Sequence, residues 1–200
     1  MLDNSQPAFE TLSMPDAEVL FYPELFVPTE SDAFFQELTS SVAWEEKQLD
    51  LPTGSVTLPR LIAWYADEGN SYSYSGVTVT PHPWIPLLLQ IKQRVENVAG
   101  LAFNSVLINQ YRSQDDSVGW HSDDEPELGR DPVIASVSFG AVRPFEFKHK
   151  DNIDQRLSVD LTPGSLLLMR GTTQQFWKHR IPRLKTPCGA RINLTFRNIS

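Results

Sequence analysis

ARINLTFRN, residues 190–198, alternates without a break: Arg191, Asn193, Thr195 and Arg197 fall on one side, Ile192, Leu194 and Phe196 on the other. Successive side chains of a β-strand point to opposite faces, so this segment reads as a strand with one polar and one apolar face. The same period of two recurs upstream, in short runs near 104–112, 117–121, 133–139, 142–148, 156–161, 165–169 and 174–179. Eight short strands, separated by turn signals such as Thr162-Pro163-Gly164, predict a sandwich or jelly roll over residues 101–200. Before Gly100 the period is helical in two places. One helix is expected over 30–43, with Phe34, Phe35, Leu38 and Val42 on one face and a Thr29/Asp32 capping box. The other is expected from near Pro83 to the Gly100 stop, burying Trp84, Leu87, Leu88, Ile91, Val95 and Val98. Segments 46–51 and 55–65 flank Pro52-Thr53-Gly54 and read as an outlying hairpin. The class is therefore mainly β with supporting helices, a jelly roll from which a hairpin projects.

A chain of 200 residues with 40% hydrophobic content fits a single domain spanning 1–200, with 1–17 polar enough to be a loose arm. No run approaches the roughly 18 apolar residues of a spanning helix, and MLDNSQPAFE lacks the features of a secretion signal. The expectation is a monomer without membrane contact, intracellular, cytoplasmic if bacterial and nuclear if eukaryotic. The lone Cys188 excludes an internal disulfide scaffold and a zinc ribbon. A net charge of −8 argues at first against a polyanionic partner, yet all 25 acidic residues precede residue 161. Beyond that point the only charged side chains are Arg170, Lys178, Arg180, Arg183, Lys185, Arg191 and Arg197.

The polar face of 190–198 has two explanations, a solvated outer surface or an interior anion site in which planar guanidinium grips a carboxylate. Asn109 and Tyr111 in SVLINQYR repeat the pattern, with Val106 and Ile108 opposite. Next comes GWHSDDE, where His121 and Asp123 project to one side if the segment is extended. A His-x-Asp pair needs a third ligand, and the remaining histidines are His82, His149 and His179. His82 lies between prolines and His149 in the charged turn KHKDN, both expected as exposed surface residues, whereas His179 ends the aromatic strand QQFWKH. Two His and one Asp with open positions make the facial triad of non-haem Fe(II) oxygenases.

In this order, Asn109-x-Tyr111, His121-x-Asp123, His179 and Arg191-x-Asn193-x-Thr195-x-Arg197 resemble the AlkB family of Fe(II)/2-oxoglutarate dioxygenases acting on alkylated nucleic acid. LPRLIAWYAD, SYSYSGVTVTPHPWIP and SVSFGAVRPFEFKHK extend the likeness over residues 55–199. The resemblance implies a double-stranded β-helix with an N-terminal substrate-lid extension in 18–100 and a catalytic core in 101–200. It implies that His121, Asp123 and His179 bind Fe(II), and that Asn109, Tyr111, Arg191, Asn193, Thr195 and Arg197 hold 2-oxoglutarate. With O2 as the other co-substrate, the implied reaction removes methyl groups from bases such as 1-methyladenine and 3-methylcytosine, in DNA and as a further candidate RNA. The products are succinate, CO2 and formaldehyde.

On the substrate side the resemblance points to Trp64, Tyr65, Tyr72, Tyr74, Glu125 and Arg197 as contacts to a base turned out of the helix. Where relatives commonly have Gly-Asp after the lid Tyr, this chain has Ala66-Asp67. Lys178, Arg180, Arg183 and Lys185 would meet flanking phosphates. The tip around Leu51–Gly54 reads either as a wedge at the extruded base or as a plain turn. Two other readings stand beside this one: a 2-oxoglutarate oxygenase acting on a protein or small molecule, and a non-catalytic metal-binding jelly-roll module.

Overall fold

The computed structural model describes residues 7–51, 54–70, 72–74, 77–79 and 81–200; the side chains of 49–51, 72–74 and 77–79 also lie outside the description. Its strands run β1 Glu10–Thr11, β2 Glu18–Tyr22, β3 Glu45–Leu51, β4 Gly54–Ala66, β5 Tyr72–Tyr74, β6 Val77–Val79 and β7 Ser105–Tyr111. They continue as β8 Val118–His121, β9 Ile134–Gly140, β10 Arg143–His149, β11 Arg156–Leu161, β12 Ser165–Arg170, β13 Trp177–Ile181 and β14 Arg191–Arg197. Helices are α1 Pro28–Ser41, α2 Pro86–Ala99 and the single turn α3 Thr173–Phe176. A major sheet, β1-β2-β12-β9-β14-β7-β4-β3, faces a minor one, β11-β10-β13-β8, while β5 and β6 form a separate hairpin. Among the described residues no helix is long and apolar enough to cross a membrane.

Alternation along the central strands sorts the side chains into two cores. Ile192, Leu194 and Phe196 of β14 join Val106 and Ile108 of β7 and the apolar faces of α1 and α2 on one side of the major sheet. Each such buried side chain contributes about 1.5–3 kcal/mol. On the other side, Phe145, Phe147, Trp177 and Ile181 of the minor sheet meet Ile134, Leu167 and Met169 of the major one. β12 reads SLLLMR with no alternation because both of its faces are covered.

Several sequence expectations need adjustment. Helix α1 starts earlier, and its end is closed by Glu30 accepting from Val27 N–H at 3.3 Å, not by Thr29 and Asp32. Segment 174–179 is part helix and part strand, since α3 turns the chain before β13 begins. The predicted hairpin is continuous with the major sheet: β4 pairs with β7 from Leu61↔Gln110 to Ala66↔Ser105. The described part of the 1–17 arm is tied down, with β1 paired to β2, Met14 buried and Pro15 O accepting from Trp177 Nε1 at 2.8 Å. His149, expected at the surface, is buried, its Nδ1 accepting the N–H groups of Asp151 and Asn152 at 3.1 Å. A short turn that doubles back puts those amides within reach of its own strand end.

Gly164 closes the turn between β11 and β12 at φ +78°, where a Cβ would lie 2.2 Å from Phe26 O. Gly164→Ala should therefore destabilise the fold by about 2–3 kcal/mol, seen as a fall in Tm of roughly 5–10 °C in a thermal melt.

Candidate active site

His121 and His179 are directly paired across β8 and β13, their ring centroids 4.3 Å apart. The pairing is out of step: His179 faces His121 and Ile181 faces Val118, so Gly119 and Trp120 together oppose Arg180. This β-bulge inserts one residue and re-aims its neighbours. It lets both Val118 and His121 point between the sheets. The bulge also supplies Gly119 O, 2.8 Å from His121 Nδ1. A carbonyl only accepts, so Nδ1 carries the proton and Nε2 is left as the ligand atom.

Asp123 lies just past β8, held by two bonds to the neighbouring elements. Its N–H donates to Gln174 Oε1 at 2.9 Å, and Ser122 Oγ donates to Trp177 O at 2.9 Å. Thus α3, only four residues long, serves to set Gln174 and through it the carboxylate. Asp123 Oδ1 accepts from Arg197 Nη2 at 2.5 Å, while Oδ2 lies 3.5 Å from His179 Nε2. Burial opposes ionisation of Asp123, but Arg197, with His179 and His121, outweighs it and holds the carboxyl below its ordinary value. Burial, reinforced by His121, depresses His179 to about 3, so its contact with Asp123 is that of a neutral imidazole. Phe145 stacks on that imidazole at 5.0 Å. The candidate ligand atoms of His121, Asp123 and His179 all lie within 4.8 Å of one another. Two imidazole nitrogens and one carboxylate fit a divalent first-row metal with positions left open to the cavity.

That cavity, about 520 Å³, lies between the sheets and is lined from both. From the major sheet come Asn109, Tyr111, Arg191, Asn193, Thr195 and Arg197, the polar face anticipated from parity. Arg191 is fully buried; Nη2 donates to Ser138 Oγ at 2.9 Å, while Nε and Nη1 have no hydrogen-bond partner. Burial lowers it to about 10, with Tyr111 opposing and Arg143 adding to the shift, so it remains a cation at neutral pH. A buried cation with two unused donors calls for an anion. The chemistry of the donor set thus fits a dicarboxylic co-substrate whose far carboxylate meets Arg191.

Asn193 is already committed, donating to Ser136 Oγ at 2.8 Å and Val137 O at 3.0 Å and accepting from Thr195 Oγ1 at 3.0 Å. It braces the strand more than it offers a free group. Asn109 Oδ1 accepts from Arg60 Nε at 2.8 Å, and Arg60 also reaches Ser117 O at 3.3 Å, clipping β4 to the loop before β8.

Of the expected substrate contacts, Trp64, Glu125 and Arg197 line this cavity. Tyr65 does not: adjacent residues on β4 face opposite ways, and its side chain sits in the helix-side core, 2% exposed, with its hydroxyl accepting from Ala43 N–H at 3.0 Å. The strand position that admits Trp64 excludes Tyr65. The side chains of Tyr72 and Tyr74 lie outside the described residues, as do Pro52 and Thr53 at the expected wedge. His82, expected at the surface, lines the cavity and lies 3.4 Å from Glu45. Sequence reasoning missed Ser136 and Ser138, whose i, i+2 spacing in SVSFG was a usable signal; it also missed Arg60 and Gln174, whose partners are far away in the chain, and Gly119, whose bulge exists only relative to β13.

The family model for the 2OG-Fe(II) oxygenase superfamily matches residues 18–197. The chain is 42% identical over 192 residues to human alpha-ketoglutarate-dependent dioxygenase alkB homolog 3, covering 92% of this chain and 66% of that protein. It is 45% identical over 179 residues to the bovine alkB homolog 3, covering 85% of this chain and 62% of the relative. It thus spans slightly less than two thirds of the length of these relatives. To human DNA oxidative demethylase ALKBH2 it is 42% identical over 195 residues, covering 89% of this chain and 72% of that protein. The solved structure of OsALKBH1 superposes with a TM-score of 0.64 at 17% identity, covering 96% of this chain and 100% of that one, a likeness of fold.

Substituting His179→Ala should weaken divalent-metal binding by more than about 100-fold, measured by anaerobic titration with Fe(II), whereas His82→Ala should leave it unchanged.

Proposed function

The chain belongs to the 2OG-Fe(II) oxygenase superfamily and is AlkB-like, and from that premise we propose that it oxidatively demethylates alkylated bases, such as 1-methyladenine and 3-methylcytosine, in DNA and as a second candidate in RNA. The observation that carries the proposal is one cavity with a metal-ligating triad on one wall and a buried, anion-seeking Arg191 on the other. Fe(II), with 2-oxoglutarate and O2, supplies the oxidation of the N-methyl group, yielding succinate, CO2 and formaldehyde.

The protein's own residues do the rest. His121, Asp123 and His179 hold the metal, with the His121 tautomer fixed by Gly119 O. Arg191 holds the distal carboxylate of 2-oxoglutarate, and Asn109, Tyr111 and Thr195 bound its path to the triad. Arg197 pairs with Asp123 and keeps that carboxylate ionised and oriented. Trp64 gives the flipped base a ring to lie against, and Glu125, two residues beyond Asp123, favours a cationic lesion or accepts from an exocyclic amine. Tyr72 and Tyr74 on the β5–β6 hairpin contact the nucleotide and its backbone, and Arg183 and Lys185 contact flanking phosphates. Action as a monomer is part of the same proposal. Such an enzyme works where it meets its substrate, in the cytoplasm of a bacterium or the nucleus of a eukaryote.

The decisive assay supplies Fe(II), 2-oxoglutarate and methylated single-stranded or duplex oligonucleotides and follows succinate and formaldehyde. Absence of formaldehyde with all of them sinks the proposal, and succinate release without base repair points to a different substrate. Arg191→Met should raise the KM for 2-oxoglutarate by at least about 30-fold, because a charged partner is left buried and unpaired. Glu125→Ala should lower turnover of the cationic lesions relative to wild type; identical turnover and lesion preference would remove Glu125 from the substrate site.

A further inference from the structure

The bulge that aims His121 inward also turns Trp120 outward, onto the solvent side of the minor sheet. Lys148 Nζ and Arg180 Cζ each lie 4.5 Å from the centroid of its ring. On this face Lys148 stands opposite Arg156 in β11 and opposite Lys178 in β13, so three cations form one row across three strands. With strands about 4.8 Å apart, the row is about 10 Å long. Like charges directly opposite repel, and among the described residues none of the three forms an ion pair. The neighbouring carboxylate is taken: Glu146 accepts from Arg180 Nε at 2.6 Å. Trp120, Arg156, Ser158 and Arg180 line a shallow depression of about 310 Å³. Trp120 also borders the large cavity, so the two share a wall.

An anion laid along the row relieves its mutual repulsion, and a small anion would use the row but not the ring. An aromatic ring beside a line of cations is the combination that binds single strands without reading sequence, bases on the ring and phosphates on the charges. We infer that this outer face is a second nucleic-acid contact, holding the single strand that continues from the base in the cavity. Phosphates lie along Arg156, Lys148 and Lys178, and a neighbouring base meets Trp120. The inference rests on nucleic acid being the substrate and extends that reading to a surface outside the cavity.

The test uses the full chain with Fe(II) and 2-oxoglutarate, and compares a methylated trinucleotide with a 15-mer single strand of the same central sequence. For Lys148→Glu/Arg156→Glu, fluorescence anisotropy should show affinity for the 15-mer falling about tenfold, with the salt slope reduced by about 1.4 for two lost phosphates. Turnover and KM on the trinucleotide should stay at wild-type values, which also certifies the fold. Trp120→Ala should weaken 15-mer binding several-fold without changing the salt slope. Wild-type affinity and slope in the charge-reversed protein overturn the inference, and so do equal losses on trinucleotide and 15-mer. Tighter binding of a duplex 15-mer than of the single strand overturns the single-strand assignment. Should no oligonucleotide yield formaldehyde, the demethylase reading fails, while the binding series on unmodified strands still upholds or overturns this surface.

Discussion

A guanidinium enclosed between two β-sheets is a severe constraint, and the interior of this protein is arranged around it. Arg191 projects from the first residue of β14, a strand whose other face is pure apolar core. Removing such a charge from water is strongly unfavourable unless hydrogen bonds and nearby dipoles replace the lost solvent. Ser138 supplies one acceptor, and the Tyr111 ring lies 5.2 Å from the guanidinium carbon. A second buried cation, Arg143, sits on the same tyrosine at 5.6 Å but donates to the carbonyls of Ser113, Asp116 and Pro182. The contrast is one of degree: Arg143 makes three bonds to backbone carbonyls, stapling two loops and leaving Nε without a partner, whereas Arg191 makes one bond and leaves both Nε and Nη1 without one. Donors held ready in a dry site bind charge strongly because nothing must reorganise when it arrives.

The second constraint is the distance between sheets, about 10 Å in a face-to-face packing. The candidate ligand atoms belong to the minor sheet and to Asp123, two residues past the end of β8, and Arg191 belongs to the major sheet. A molecule that touches both must be a few atoms long and anionic at its far end, which describes a five-carbon dicarboxylate better than a single-headed acid. The two walls are locked to one another by Arg197, which leaves β14 to grip Asp123. This ion pair crosses the gap next to the candidate metal ligands, so the spacing that would select a co-substrate is tied to the geometry that would hold the metal.

Much of this was readable in the sequence, for identifiable reasons. The parity of 191–197 survives folding because both faces of β14 are buried and a slip of one residue would exchange the charged set for the apolar one. His121 and Asp123 were conspicuous as chemistry-bearing residues among others that are not. Trp64 and Tyr65, by contrast, were assigned together although strand alternation had to separate them. The bulge at Gly119-Trp120 left no local trace, since it exists only relative to the pairing with β13. Nor did four residues at 173–176 announce a helix; Thr173 bonds to Arg170 O three residues back and accepts from Glu18 N–H, a contact set by a distant strand. The joining of β4 to β7, which makes the hairpin part of the major sheet, was hidden for the same reason.

The charge of the chain bears on how these parts act together. At −8 overall, with every acidic residue before position 161, the molecule repels a polyanion at long range. At physiological ionic strength that repulsion fades over about 8 Å, so the cations within one such length of a phosphate decide the outcome. Long-range attraction would therefore not gather a nucleic-acid substrate, and under the proposed function the cavity would have to contribute through the base it encloses. A polyanion would be held by short, salt-sensitive contacts beside that cavity, and a normal base, which gives the interior neither a methyl group nor a cationic ring, would leave as easily as it came. Under the proposed function, discrimination would then rest on what the pocket meets between Trp64, Glu125 and the candidate metal ligands, and the acidic scaffold would sharpen it by withholding the non-specific affinity that a basic protein has.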